Sequence, residues 1–264
     1  MNPSSLLSPH EAIKLALLAG ELLLSNGSET NRVEDTMRRV LASAGYSNAE
    51  AFVVSTGVFV SVRAEAGDIT SVKRITKRSY DVQKLIKVND VSRSFAENRI
   101  TPGEAMSKLE EIRSGTSGYA YSFVKLFAAG IACGCFAYLF GGSFMDCLNA
   151  FFTGFILEVL LFQLRKGRVA DVLVNILGGI MIAFLSLTIL NLGVGTNLDF
   201  IIIGSLMPLV PGLTLTNAVR DVLEGDYLSG SARLMDAVLV AISVACGVGT
   251  TIKLWYHIFG GVFI

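Results

Sequence analysis

Histidine, cysteine, proline and tryptophan are all scarce: the 264 residues hold two, four, five and one. His10 and His257 lie too far apart in the chain, and in settings too different, to suggest a catalytic dyad. Cys133, Cys135, Cys147 and Cys246 all sit in or at the edge of apolar stretches. Their spacing fits neither a metal site nor a secreted disulfide framework, so they read as small packing residues. Lysine plus arginine equals aspartate plus glutamate at 22 each. With zero net charge, nothing strongly basic overall argues for nucleic acid. The motifs GxSxG, HExxH and GxxxxGK[ST] and the dinucleotide fingerprint are absent. No catalytic residue, metal or cofactor is expected, and the chain is not read as an enzyme. Met1 to His10 has no basic stretch and no A-x-A site, so no cleavable signal peptide is expected either.

What the chain has in excess is apolar residues, 52% against 17% charged. That lies beyond ordinary soluble composition. The charges are also unevenly placed. Residues 1–118 carry 15 of the 22 cations and 14 of the 22 anions, leaving 7 and 8 for residues 119–264. The expected fold is therefore a helical membrane protein: a five-span bundle preceded by a small α+β cytoplasmic domain with a β-hairpin. The predicted boundaries are 1–115 for the cytoplasmic domain and 119–264 for the transmembrane domain.

In the first half, Ser8-Pro9-His10-Glu11 and Thr101-Pro102-Gly103-Glu104 are capping boxes with proline at the first helical position. The first opens a helix ending near Asn26-Gly27, and the second opens a short helix to about Arg113. A further helix begins between Ser28 and Asn31 and ends at Gly45, and another runs from about Tyr80 to Asn98. Ala51–Val62 and Ile69–Ile75 alternate partially around the turn Glu65-Ala66-Gly67-Asp68, as a hairpin does. Ser114 to Gly118 reads as a linker. Lys73, Arg74, Lys77, Arg78, Lys84 and Lys87 form a basic cluster, either a solvated face or a contact for anionic headgroups.

Five apolar spans of about bilayer length follow: Tyr119–Phe140, Ser143–Leu164, Val169–Leu190, Asn197–Gly212 and Arg233–Trp255. The fourth meets Pro208, Pro211 and Gly212, where a helix should kink or stop. The carbonyls expected to lose their partners lie near Gly204 and Met207. Thr214, Thr216, Asn217, Arg220 and Asp221 follow directly. A broken apolar helix followed by polar residues points to a transporter binding site, so Pro208, Pro211, Gly212, Thr214, Thr216, Asn217, Arg220 and Asp221 are the candidate solute contacts. The basic connections Arg165 to Arg168 and the long one carrying Arg220 and Arg233 place the first domain in the cytoplasm and the C-terminus outside. Asp146, Asn149 and Thr153 share one face of the second span, and Asp171, Asn175, Gly178 and Ser186 form a stripe on the third. Glu158, within Phe155–Phe162, is an intramembrane carboxylate. It is a candidate proton carrier, with Asp236 as the second, or else a carboxylate that reaches Arg165 or Lys166.

Leu209-Val210-Pro211-Gly212, then Asn217, Arg220-Asp221, Gly225-Asp226, Gly230 and Arg233, resemble the hallmark of the bacterial threonine/serine exporter family. Gly27-Ser28-Glu29-Thr30-Asn31-Arg32-Val33-Glu34 resembles that family's cytoplasmic signature, with Glu29, Thr30, Arg32 and Glu34 as its polar members. The likeness runs from about Leu15 to Gly249. It implies a secondary exporter in the bacterial inner membrane that moves threonine and serine, or dicarboxylates such as succinate, on proton-motive force. The chain resembles the larger subunit of the split members, which implies a second, smaller membrane subunit, and it leaves a homo-oligomer open. The alternative is a membrane-anchored enzyme or scaffold acting through the first domain, with Arg32, Glu34 and Asp35 as the residues of interest.

Overall fold

The structure, a computed structural model, describes residues 7–64, 67–76, 79–115, 123–167 and 169–260. Lys77 and Arg78 of the basic cluster, Arg168, Glu65 and Ala66 of the turn, most of the linker and the start of the first expected span lie outside the described residues. The chain divides into two compact units, Met1–Ser117 with Leu213–Met235, and Gly118–Gly212 with Asp236–Ile264.

The first unit is built around α1 (Pro9–Ser25), whose residues from Ala12 to Leu24 are nearly all buried. Ser8 and Glu11 satisfy one another's backbone N–H groups, so the helix starts with two of its free donors taken. α2 (Thr30–Ser43) buries Val33, Met37, Val40 and Leu41, the three-to-four spacing of an amphipathic helix. α3 (Val82–Ala96) and α4 (Pro102–Ser114) complete the helical side of the core.

The expected hairpin is a three-stranded antiparallel sheet. β1 (Glu50–Val54), β2 (Gly57–Ala64) and β3 (Gly67–Arg74) pair in the order β1-β2-β3. Ala51–Val62, read as one strand, turns at Ser55-Thr56, with Val54 opposite Gly57. Burial changes phase at this turn: the buried positions are Ala51 and Val53 before it and Val58, Val60 and Val62 after it. Phe52 is therefore an outward residue, packed on Phe59 with ring centroids 5.9 Å apart. β1 is an edge strand, and α2 covers its free groups. Glu34 accepts from the Val53 N–H at 2.9 Å, and Arg38 donates to the Ala51 carbonyl at 3.3 Å. Side chains thus close an edge that would otherwise invite pairing with another strand.

The second unit consists of α5 (Phe123–Leu139), α6 (Phe144–Lys166), α7 (Asp171–Asn191), α8 (Leu198–Leu206), a 3₁₀ turn (Met207–Leu209) and most of α10 (Tyr227–Phe259). α6, α7 and α10 are long and apolar enough to cross a membrane. A fourth span results if Leu198–Leu209 and Gly212–Leu223 are counted together, and the described part of α5 is a shorter apolar helix. Small residues bring these helices close: Cβ atoms added at Gly130 and Gly134 would meet Phe151 and the Cys147 carbonyl at 2.9 and 3.0 Å. Such seams suit a setting where packing replaces the hydrophobic effect between helices.

Pro211 disfavours a helical conformation for its predecessor, and Val210 is extended (φ −67°, ψ 127°), whereas Met207 before Pro208 stays helical (φ −52°, ψ −38°). Neither carbonyl expected to be orphaned is free. The Gly204 carbonyl accepts from Met207 N–H, and the Met207 carbonyl accepts from Val210 N–H at 3.3 Å. Tightening into a 3₁₀ turn shifts the hydrogen bonds by one residue instead of abandoning them.

Candidate functional site

The segment beyond the break, read above as a connection, is helical. α9 (Gly212–Leu223) and the start of α10 form a helical hairpin inside the first unit. Its joint follows from two residues. Gly225, at φ +90°, ends α9 with the Asp226 N–H bonded to the Asp221 carbonyl at 2.8 Å and its own N–H to the Val222 carbonyl at 3.1 Å. Asp226 then accepts from the Ser229 N–H at 3.2 Å, capping α10. Gly230 lets the two arms cross, since a Cβ there would lie 3.0 Å from the Ala218 carbonyl.

The other half of the site is the end of α1, which closes by the same device. Gly27 sits at φ +95°, with the Ser28 N–H on the Leu23 carbonyl at 3.0 Å. From there, five consecutive residues each bond to the hairpin. The Gly27 carbonyl accepts from Asn217 Nδ2 at 2.9 Å, and the Ser28 carbonyl accepts from Arg233 Nη2 at 2.9 Å. Glu29 pairs with Arg220. Thr30 donates its hydroxyl to Asp221 Oδ1 at 2.9 Å and its N–H at 3.4 Å. Asn31 donates to Glu224 at 2.9 Å. Ser55 N–H on the Ser229 hydroxyl at 3.1 Å and the Tyr80–Thr214 hydroxyl pair at 2.6 Å extend the contact.

At the centre lies the Asp221–Arg233 ion pair, 3.0 Å between Oδ2 and Nε, with side chains 0% and 7% exposed. Taking two charges out of water costs several kcal/mol per ion and is repaid only by good geometry and further hydrogen bonds. The two bonds from Thr30 and the one to the Ser28 carbonyl offset part of that cost. Oδ2 and Nε face each other at ion-pair distance without a hydrogen bond, and burial holds the Asp221 carboxyl above its ordinary value. The Glu29–Arg220 pair is built differently, its arginine side chain 57% exposed and its glutamate 19%.

The candidate residues therefore separate. Thr214, Asn217, Arg220 and Asp221 are brought together with Glu29 and Thr30. Thr216 is exposed, its hydroxyl turned back to the Leu213 carbonyl at 3.1 Å. Pro208, Pro211 and Gly212 shape the break in and around the 3₁₀ turn. Arg32 is exposed, and Glu34 belongs to the sheet edge. In the second unit, Glu158 is 8% exposed and meets Lys125 of α5 at 2.7 Å, instead of the Arg165 or Lys166 considered above. Antiparallel packing of α5 on α6 brings in that cation, which no spacing along α6 could reveal. Asp236 is exposed. Tyr80 and Lys125 were missed by sequence reading, because they act across elements distant in the chain, and Ser28, quoted within the signature, acts through its backbone.

The chain passes from an apolar bundle with an interrupted helix into a polar helical hairpin. The comparisons give the family. Residues 14–255 match the threonine/serine exporter family (ThrE), and the chain belongs to it. It is 26% identical over 250 residues to the threonine/serine exporter of Corynebacterium glutamicum, covering 92% of this chain and 51% of that one. It is 24% identical to a probable threonine/serine exporter of Mycobacterium tuberculosis, covering 92% and 46%. It is also 24% identical to the probable succinate transporter subunit YjjP of Escherichia coli, covering 92% and 94%. The chain thus spans about half the length of the first two relatives and nearly all of the third. No solved structure matches it significantly.

Proposed function

We propose that this chain is a subunit of a secondary exporter of small polar metabolites, threonine and serine or related amino acids, with dicarboxylates such as succinate as the second solute class. The observation that carries this reading is the run of hydrogen bonds from Gly27 to Asn31 onto the hairpin that follows the Val210–Pro211 break. It links the two stretches that resemble the family's motifs into one polar site. The family membership and the names of the relatives support the solute classes.

In this reading the first unit faces the bacterial cytoplasm, α5 joins α6, α7 and α10 as spans of the inner membrane, and Leu198–Leu209 is the shorter, broken fifth segment. Arg220 offers its guanidinium fork to a solute carboxylate, since planar two-pronged recognition is what arginine does best. Thr214, Thr216 and Asn217 flank it on α9. Asp221 acts by fixing α9 to α10. Glu158, with Asp236 as the second candidate, carries the coupling proton. A second, smaller membrane subunit completes the transporter, consistent with relatives about twice as long and with one named as a subunit.

The test is efflux from bacterial cells loaded with serine- or threonine-containing dipeptides or with succinate, with this chain expressed alone and together with the candidate small subunit. Export only in the pair is the expected outcome. Replacing Arg220 with Ala should abolish it while leaving protein level and insertion unchanged, because an exposed pair contributes about 1 kcal/mol or less to stability. Full export by that variant removes Arg220 from the solute site.

A further inference from the structure

We propose that Glu29 is a resident competitor for Arg220, a tethered carboxylate that occupies the guanidinium until a solute carboxylate displaces it. The inference rests on the reading of Arg220 as a solute contact and adds the residue that sets its apparent affinity.

Three observations carry it. Glu29 occupies the N-cap position of α2, where a side-chain oxygen ordinarily accepts from a first-turn N–H, yet it makes no capping bond. It reaches α9 and pairs with Arg220. Helix α2 therefore forgoes a local stabilising contact so that this carboxylate can stand at the arginine. Second, the pair is asymmetric. The glutamate is mostly covered while more than half of the arginine side chain is open. Among the described contacts only Nη1 is engaged by Glu29, and a guanidinium has five N–H donors. An incoming carboxylate can approach the free edge of the fork before Glu29 leaves it. Third, the neighbouring Asp221–Arg233 pair, buried and cross-bonded by Thr30 and Ser28, already holds the hairpin. The Glu29–Arg220 contact is not needed for that task. Exposed pairs are weakly held and exchange readily.

The exchange is a simple ligand substitution with no covalent step. The carboxylate of the solute takes the place of the carboxylate of Glu29, so the charge at Arg220 stays compensated throughout. A solute that also carries an ammonium group finds the released Glu29, and Glu224 nearby, as counter-charges. A dicarboxylate meets them as like charges.

The test uses the full chain with Glu29→Gln, which keeps size and removes charge, co-expressed with the candidate small subunit for the efflux measurements. Apparent KM for efflux of L-threonine, L-serine and succinate is measured beside the melting temperature of the purified protein. Isothermal titration of the solubilised full chain with the same solutes gives the affinity without transport. The expected result is an apparent KM or Kd lower by about threefold or more, with little change in melting temperature. An unchanged or raised KM, in a background where Arg220→Ala abolishes efflux, overturns the proposal and leaves Arg220 as a solute contact. Full efflux by Arg220→Ala removes the underlying reading instead. A charge exchange, Glu29→Arg with Arg220→Glu, supplies the second variant. A purely structural pair would survive the exchange with export intact, which also overturns the proposal. Retained melting temperature with lost export is the result expected.

Discussion

Among the described residues two aspartates are wholly buried, Asp221 in the first unit and Asp146 in the second, and their partners are of opposite kinds. Asp221 has a cation, Arg233, and two bonds from Thr30. Asp146 has no cation within ion-pair distance among the described residues. It accepts from the Ser143 N–H and hydroxyl at 2.9 and 2.7 Å, from the Thr196 N–H and hydroxyl at 2.7 Å each, and from the Asn197 N–H at 3.2 Å. The charge pair itself joins α9 to α10, and the hydrogen bonds that Thr30 gives Asp221 and Arg233 gives the Ser28 carbonyl tie that pair to a segment about two hundred residues away in sequence. A cage of neutral donors does a more local job: it closes α6 at its N-terminus and draws in the turn between α7 and α8. The first arrangement fails abruptly when one partner goes, and the second fails by degrees.

The largest expected effect is therefore at Arg233. Arg233→Met strands a buried carboxylate and should cost about 3–5 kcal/mol. Hydrogen exchange of α9 and of the Gly27–Asn31 segment would rise together, because the lock holds them as one body. Removing both charges, Asp221→Leu with Arg233→Met, should recover most of that loss, since apolar replacements of a buried pair are often neutral or better. If the single variant protects these amides as well as the parent does, the pair is not what holds the hairpin.

Asp146→Asn is the milder counterpart. The amide keeps one acceptor but points two donors at groups that are themselves donors, an estimated loss of about 1–3 kcal/mol. Faster exchange at the Thr196 and Asn197 amides, with α9 unaffected, would separate the two regions. Undiminished protection there would shift the credit to Asn149, which holds the same turn through the Val194 carbonyl at 2.8 Å.

Much of the local structure could be read from the chain because its causes are local. Ser8-x-x-Glu11 and Thr101-x-x-Glu104 announce helix starts through bonds spanning three residues, and Pro211 announces the break through its own ring. The two stretches resembling a family were also legible, but not why they belong together. That Asn217 answers the Gly27 carbonyl, or that Arg233 answers Ser28, depends on how the first unit closes and leaves no periodicity behind. The same limit applied to Lys125 at Glu158. The extra strand leaves little trace, because Phe52, Val54, Val58, Val60 and Val62 keep one even phase along the sequence while burial changes from odd to even positions between Val53 and Val58. It was obscured by Phe52 and Val54, whose size suggested a core they do not enter.

The smallest effect compares like with like. Ser143-x-x-Asp146 is also a capping box, so the chain builds one local motif in a buried setting and again, at Ser8 and Thr101, in water. At the exposed caps, bonds from Ser8 hold the Glu11 carboxyl below its ordinary value, as the Thr101 N–H and then its hydroxyl do for Glu104. A depressed carboxylate stabilises the fold above its unfolded pKa, about 4.3, and that contribution fades as pH falls through the folded value. Glu104→Gln should thus lower the melting temperature slightly at neutral pH and lose less than the parent between about pH 4.5 and the acid limit. Convergence of the two melting curves on the acid side is the signature to look for. Parallel curves would mean that the cap works by hydrogen-bond geometry alone. The contrast with Asp146, whose donors come from a second segment of chain, would then reflect connectivity more than charge.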